Sequence, residues 1–127
     1  LKTYADADLL SRRGKDEAAV RAFEVFVGQS PRGALADRAL MAVVRLRAGL
    51  GRYAEAAEVC RRVAGEYRAS PVAPEARMQA AAFYEERLGR FQEAVREYEA
   101  LMADYPDSPL VEEARQKLRR LQERIRG

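Results

Sequence analysis

Apolar residues recur along this chain with the spacing of helices. From Phe91 to Tyr105 they fall at Phe91, Ala94, Val95, Tyr98, Leu101, Met102 and Tyr105. That spacing lines one face of a 3.6-residue helix and is incompatible with a strand, whose side chains alternate. The same phase runs through Tyr53, Ala56, Ala57, Cys60, Val63, Ala64 and Tyr67. It runs again through Asp16, Ala19, Val20, Phe23, Phe26, Val27 and Ser30, where only the two ends are polar. The pattern predicts helices over residues 16–29, 53–67 and 91–105. Residues 34–49 leave few polar gaps, so a helix there is expected to be buried on most sides, with Arg38, Arg45 and Arg47 marking its wet edge. A further helix is predicted from about Ala73 to Leu88, with Ala76, Ala80, Phe83, Tyr84 and Leu88 inward. Residues 1–13 carry Tyr4, Ala7 and Leu10 at helical spacing.

The last segment is different. Val111, Ala114, Leu118, Leu121 and Ile125 form a narrow stripe in an otherwise charged helix over 109–127. A polar outer face of this kind closes a helical stack. The same spacing suits a short coiled-coil seam, and so a homodimer, although it spans under three heptads; a self-association module could alternatively use the open edge of the first repeat.

Three of these segments are copies of one another. Gly14, Gly51 and Gly89 precede them, 37 and 38 residues apart. Each glycine suits a tight turn with positive φ. The narrow doublets Ala19-Val20, Ala56-Ala57 and Ala94-Val95 let a neighbouring helix approach, and Phe23, Cys60 and Tyr98 follow one turn later. In Ser70-Pro71 and Ser108-Pro109 the serine can cap the next helix while proline takes its first turn. Pro31 ends the first copy early. A repeat of this length made of helix-forming residues outranks every other signal. One hairpin cannot hide its apolar stripe, but stacked hairpins can. The expected organisation is one all-α domain, 1–127, of helix-turn-helix repeats: units at about 1–33, 34–70 and 71–108, then a capping helix over 109–127.

These residues resemble the tetratricopeptide repeat. Gly89, Phe91, Glu93, Ala94, Tyr98 and Pro106 follow that family's turn, Glu-Ala pair, aromatic and closing proline. Gly51, Tyr53, Glu55 and Ala56 follow it in the second copy, but Cys60 replaces the aromatic and Arg68 the proline. The first copy keeps Gly14, Ala19, Phe23 and Pro31, with Asp16 in place of the turn aromatic. The usual period is about 34 residues, so the extra residues are expected around the helix junctions. The resemblance implies a right-handed α-solenoid whose first helices line a concave, peptide-binding groove. Carried onto this chain, the groove residues are Tyr4 and Asp8, then Arg38, Met41 and Arg45, then Gln79, Phe83 and Glu86, with Lys117 from the last helix. Apolar anchors beside arginines would suit an acidic-hydrophobic peptide. A subclass of the family clamps a terminal carboxylate with asparagines and lysines. This chain has no Asn and only Lys2, Lys15 and Lys117, so that clamp is not expected. Tyr105-Pro106-Asp107-Ser108-Pro109 and Ala73-Pro74-Glu75-Ala76 resemble turns of bacterial envelope repeat proteins, such as outer-membrane assembly lipoproteins and the Tol-Pal coordinator. That likeness favours a periplasmic or outer-membrane setting over the cytoplasm.

Composition narrows the chemistry. Val aside, Thr3 and Ile125 are the only β-branched residues, in keeping with an all-helical chain. No apolar run approaches the ~18 residues needed to span a membrane. The absence of His removes the commonest general base and metal ligand. Cys60 sits on an apolar stripe, where packing explains it better than reactivity. No glycine cluster is followed by Lys and Ser or Thr, as a phosphate-binding loop requires. Asp6 and Asp8 point different ways on a helix, which argues against a metal pair. Adjacent carboxylates at Glu85-Glu86 and Glu112-Glu113 diverge likewise. No enzyme activity, cofactor or metal is expected. The net charge of +3 comes from a chain in which 20 of 23 basic residues are Arg, a bias that a GC-rich coding sequence explains. Basic charge alone supports nucleic-acid binding, and no polar code position recurs, so none is expected. The start at Leu1 suggests an excised or processed piece of a larger protein.

Overall fold

A computed structural model describes residues 2–127; Leu1, at the head of the first expected unit, lies outside the described residues. The described chain contains seven α-helices and no strand. They are α1 (Tyr4–Arg12), α2 (Asp16–Gln29), α3 (Ala36–Gly49), α4 (Tyr53–Glu66), α5 (Ala73–Ala82), α6 (Phe91–Asp104) and α7 (Val111–Arg126). Each helix packs mainly on the one before and the one after it, the arrangement of a stack rather than a closed bundle.

The repeated positions do the same work in each hairpin. Ala19, Ala56, Ala57 and Ala94 are fully buried where helices approach, and Phe23, Cys60 and Tyr98 are buried one turn on. Phe23, Leu40, Leu101 and Leu121 are also buried, each stabilising the fold by about 1.5–3 kcal/mol. Gly14, Gly51 and Gly89 turn the chain with φ of 74°, 78° and 64°. A side chain is disfavoured in that left-handed region.

The serines and the prolines after them stand ahead of the helices. Ser70 and Ser108 lie two residues before the N-cap positions Val72 and Leu110, and Pro71 and Pro109 fall in the turn rather than in the first helical turn. Ser70 Oγ accepts from the Val72 N–H at 3.2 Å and Ser108 Oγ from the Leu110 N–H at 3.1 Å. Both bonds close the tight turn ahead of the helix. Tyrosines tie the units together at the same level. Tyr67 Oη donates to the Pro31 carbonyl at 2.6 Å, and Tyr105 Oη donates to the Arg68 carbonyl at 3.1 Å. Each reaches back into the turn of the preceding hairpin.

The unequal spacing has a local cause. α5 ends in a π turn over Phe83–Arg87, where the Leu88 N–H donates to the Phe83 carbonyl. Lys15 and Arg52 N–H reach back five residues, to Leu10 and Arg47, whereas Arg90 N–H reaches back six, to Tyr84. The one extra residue between Gly51 and Gly89 is absorbed there, as π turns commonly do. Arg47 is also not on the wet edge of α3. It is half-buried and bridges Glu24 at 3.0 Å and Glu55 at 3.6 Å.

Candidate partner-binding groove

The first helix of each hairpin lies along one side of the stack. Their side chains enclose an open groove of about 520 Å³. Tyr4 comes from α1. Arg38, Met41, Ala42, Arg45 and Ala48 come from α3. Val72, Gln79 and Phe83 come from the turn before α5, from α5 and from its π turn. Helical spacing explains the α3 set: positions 38, 41, 42, 45 and 48 share one face.

Six of the residues read from the sequence meet here: Tyr4, Arg38, Met41, Arg45, Gln79 and Phe83. The other three do not line the groove. Asp8 accepts from Arg12 Nε at 2.8 Å on its own helix. Glu86 is exposed on the π turn. Lys117 stands 3.9 Å from Glu113 on α7. Ala42, Ala48 and Val72 were not among the sequence candidates. The α3 alanines are one turn from residues already named, and that periodicity is the signal that finds them.

The floor is apolar and held from behind. Met41 and Phe83 are half-buried and pack on the core. Phe83 meets Tyr53 with ring centroids 5.9 Å apart, and Arg87 lies over the same Tyr53 ring at 5.1 Å. Tyr4 packs edge-on to Phe23 at 5.3 Å and to Phe26 at 6.1 Å. The rim is cationic. Arg38 and Arg45 take part in no ion pair among the described residues. Arg45 reaches only the Ser11 hydroxyl, at 3.5 Å. Seven residues separate the two arginines, about 10 Å along the helix axis. Such a surface can hold an apolar side chain and grip carboxylates on either side of it.

The remaining polar groups are engaged locally. Asp6 closes a capping box with Thr3, and the Thr3 amide and hydroxyl hold its carboxyl below the ordinary value. The Cys60 thiol is pushed up to about 12, first by burial and then by Glu97 and Glu75. It is therefore an inert thiol at neutral pH. Glu97, which sequence inspection missed, is the one buried charged residue among those described. It accepts from Arg77 Nη1 at 2.9 Å and lies 3.8 Å from Arg61 Nε. Among the described residues no cluster of three or more potential metal ligands occurs, and no helix is long and apolar enough to cross a membrane.

Helix-turn-helix units stacked in one direction, with a groove along their first helices, define an α-solenoid of the protein-interaction class. A family model described as tetratricopeptide repeat matches residues 47–118, more than half of the chain, and the chain belongs to the tetratricopeptide repeat family. Repeats of this family generally mediate protein–protein interactions, and the fold is typically a non-catalytic scaffold. The matched stretch begins late in α3, so Tyr4, Arg38, Met41 and Arg45 lie upstream of it. No curated protein matches the chain.

Proposed function

We propose that this chain is a non-enzymatic scaffold that holds an acidic-hydrophobic protein segment in the groove across α1, α3 and α5. The observation that carries the reading is the pairing of an apolar floor, Met41 and Phe83, with two arginines, Arg38 and Arg45, that have no carboxylate partner among the described residues. Apolar side chains of the segment fill the floor while its carboxylates meet Arg38 and Arg45. Units at about 1–33, 34–70 and 71–108, closed by 109–127, supply the three first helices and the cap. The turns at 73–76 and 105–109 support placement within a larger bacterial envelope protein.

Calorimetric titration with acidic-apolar peptides tests the groove. Arg45→Ala and Phe83→Ala should each weaken binding by about tenfold or more, equivalent to about 1.4 kcal/mol. Affinity should also fall as salt is raised. Unchanged affinity in both variants places the site elsewhere. Self-association through α7 has thinner support, because Leu118 and Leu121 are already buried and Ile125 alone of the stripe is exposed.

A further inference from the structure

One interior slot changes character from one unit to the next. In α3 it holds Arg47, whose planar guanidinium lies between carboxylates of the two flanking second helices, Glu24 of α2 at 3.0 Å and Glu55 of α4 at 3.6 Å. The repeat interval carries these three positions onto Tyr84, Arg61 and Glu93. A cation between two anions thus becomes a phenol between a cation and an anion. Arg61 belongs to α4 and Glu93 to α6, so the slot still joins neighbouring hairpins.

Tyr84 does not fill the space. With Arg61, Glu93, Arg96 and Glu97 it lines a cavity of about 110 Å³. Tyr84 is 1% exposed, and its Oη is buried with no hydrogen-bond partner among the described residues. A buried hydroxyl in that condition is unfavourable, and a ligand that bonds it relieves the loss. Burial holds the phenol above its ordinary value, and the neighbouring Arg61 guanidinium offsets part of that without closing a hydrogen bond. At neutral pH the phenol therefore keeps its proton and can donate. Glu97 is engaged by Arg77 at 2.9 Å and lies 3.8 Å from Arg61. Glu93 and Arg96 take part in no ion pair among the described residues. The unengaged lining thus offers a donor, Arg96, an acceptor, Glu93, and a phenol able to be either. An incoming anion meets two carboxylates there, and an incoming cation meets two guanidinium groups. A neutral planar group with an acceptor on one side and donors on the other suits both.

We propose that this cavity takes a primary carboxamide, the side chain of an Asn or Gln presented by a partner protein, in the place that the Arg47 guanidinium fills one unit earlier. Its carbonyl oxygen accepts from Tyr84 Oη and Arg96, and its amide N–H donates to Glu93. Size agrees, because the cavity has the space of about three or four waters, enough for a carboxamide and too little for an aromatic ring. A free amide has too few atoms to bind tightly, whereas a side chain is held in place by the rest of its protein. The cavity shares no residue with the groove, so it stands or falls separately from the proposed function.

Three planar probes of similar size test the site: acetamide, acetate and guanidinium, titrated to about 100 mM into the isotopically labelled chain at constant ionic strength. Acetamide should shift amides around Arg61, Tyr84 and Glu93 saturably, and bind about tenfold more tightly than either ion. Tyr84→Phe removes only the unpaired hydroxyl, so it should fold as the parent does and weaken acetamide by about fivefold or more. Arg96→Glu, at an exposed position, should turn the preference toward guanidinium. Peptides selected from a random display library on the parent chain, and against Tyr84→Phe, should be enriched in Asn or Gln over charged residues. Equal binding of the three probes overturns the proposal, as does indifference to Tyr84→Phe or enrichment of charged residues. So does acetamide binding below about 0.1 mM, which would make the ligand a free amide. A crystal structure grown in acetamide that shows ordered water only in the cavity overturns it as well.

Discussion

The hairpins α3–α4 and α5–α6 are copies, yet one interior position pair is filled in opposite ways. In α3–α4 the residues are Leu40 and Val59, 1% and 8% exposed. In α5–α6 the corresponding residues are Arg77 and Glu97. Glu97 is 6% exposed, with Arg77 on one oxygen and Arg61 of the preceding hairpin near the other. The repeat therefore demands that the slot be filled and neutral, not that it be greasy. Withdrawing a carboxylate from water is unfavourable by several kcal/mol, and two guanidinium groups are needed to offset it. The apolar pair requires no such partner. The ionic version gains a tie between hairpins, because Arg61 belongs to α4.

The largest effect should come from breaking the ionic pair on one side. Glu97→Ala leaves Arg77 in a half-buried site with only the Asp104 carboxylate, 4.0 Å away, and should lower unfolding stability by about 3 kcal/mol, read from urea midpoints. Copying the upper hairpin with Arg77→Leu and Glu97→Val together should restore stability to within about 1 kcal/mol of the parent or exceed it. A double variant as weak as the single one would mean the two slots are not equivalent.

A second, smaller effect concerns Cys60 and Tyr98, which also share a slot. Burial pushes the Cys60 thiol up to about 12. Burial first, then the bond donated to Glu85, holds the Tyr98 hydroxyl above its ordinary value of 10.0. Unfolded, the thiol titrates near 9.0. Above that pH the unfolded chain has released protons that the folded chain keeps, so stability falls as pH rises. The thiol's share is fully present below 9 and lost progressively toward about 12. Cys60→Ala should flatten the decline in that window, whereas the Tyr98 share, beginning near 10, should persist. Denaturant midpoints followed across alkaline pH would show it. The smallest difference should separate Tyr67→Phe from Tyr105→Phe. Each removes one partly exposed hydrogen bond, at about 1 kcal/mol or less, with the shorter Tyr67 bond the costlier loss.

Much of this architecture is legible in the residue pattern. The glycines before α2, α4 and α6 mark left-handed turns, and the apolar spacing places those helices to within a residue at each end. The groove is legible in part. Periodicity brings Met41 and Arg45 to one face of α3, and repeat phase brings Gln79 and Phe83 alongside. Phase alone cannot say that Asp8 is taken by Arg12, because a surface carboxylate's partner is chosen by side-chain reach rather than by helix phase. Glu97 escaped notice although a signal existed. It stands eight residues after Gly89, where the other copies have Ala22 and Val59 after their glycines. A charged residue in a slot that is otherwise apolar is the mark of a buried pair. Gly spacing likewise disclosed an extra residue but not its place, since hydrogen-bond length within a helix leaves no trace in residue type.

The π turn has a consequence for how such chains change length. From each turn glycine to the last residue of its unit, at Gly33, Ser70 and Ser108, the interval is 19 residues in every copy. The added residue therefore left the downstream hairpin in step, because the backbone swallowed it within a single helical end. That end carries Phe83, part of the groove floor. Insertions can resculpt the wall that meets a ligand while the tyrosine ties and glycine corners keep every later layer at its own height.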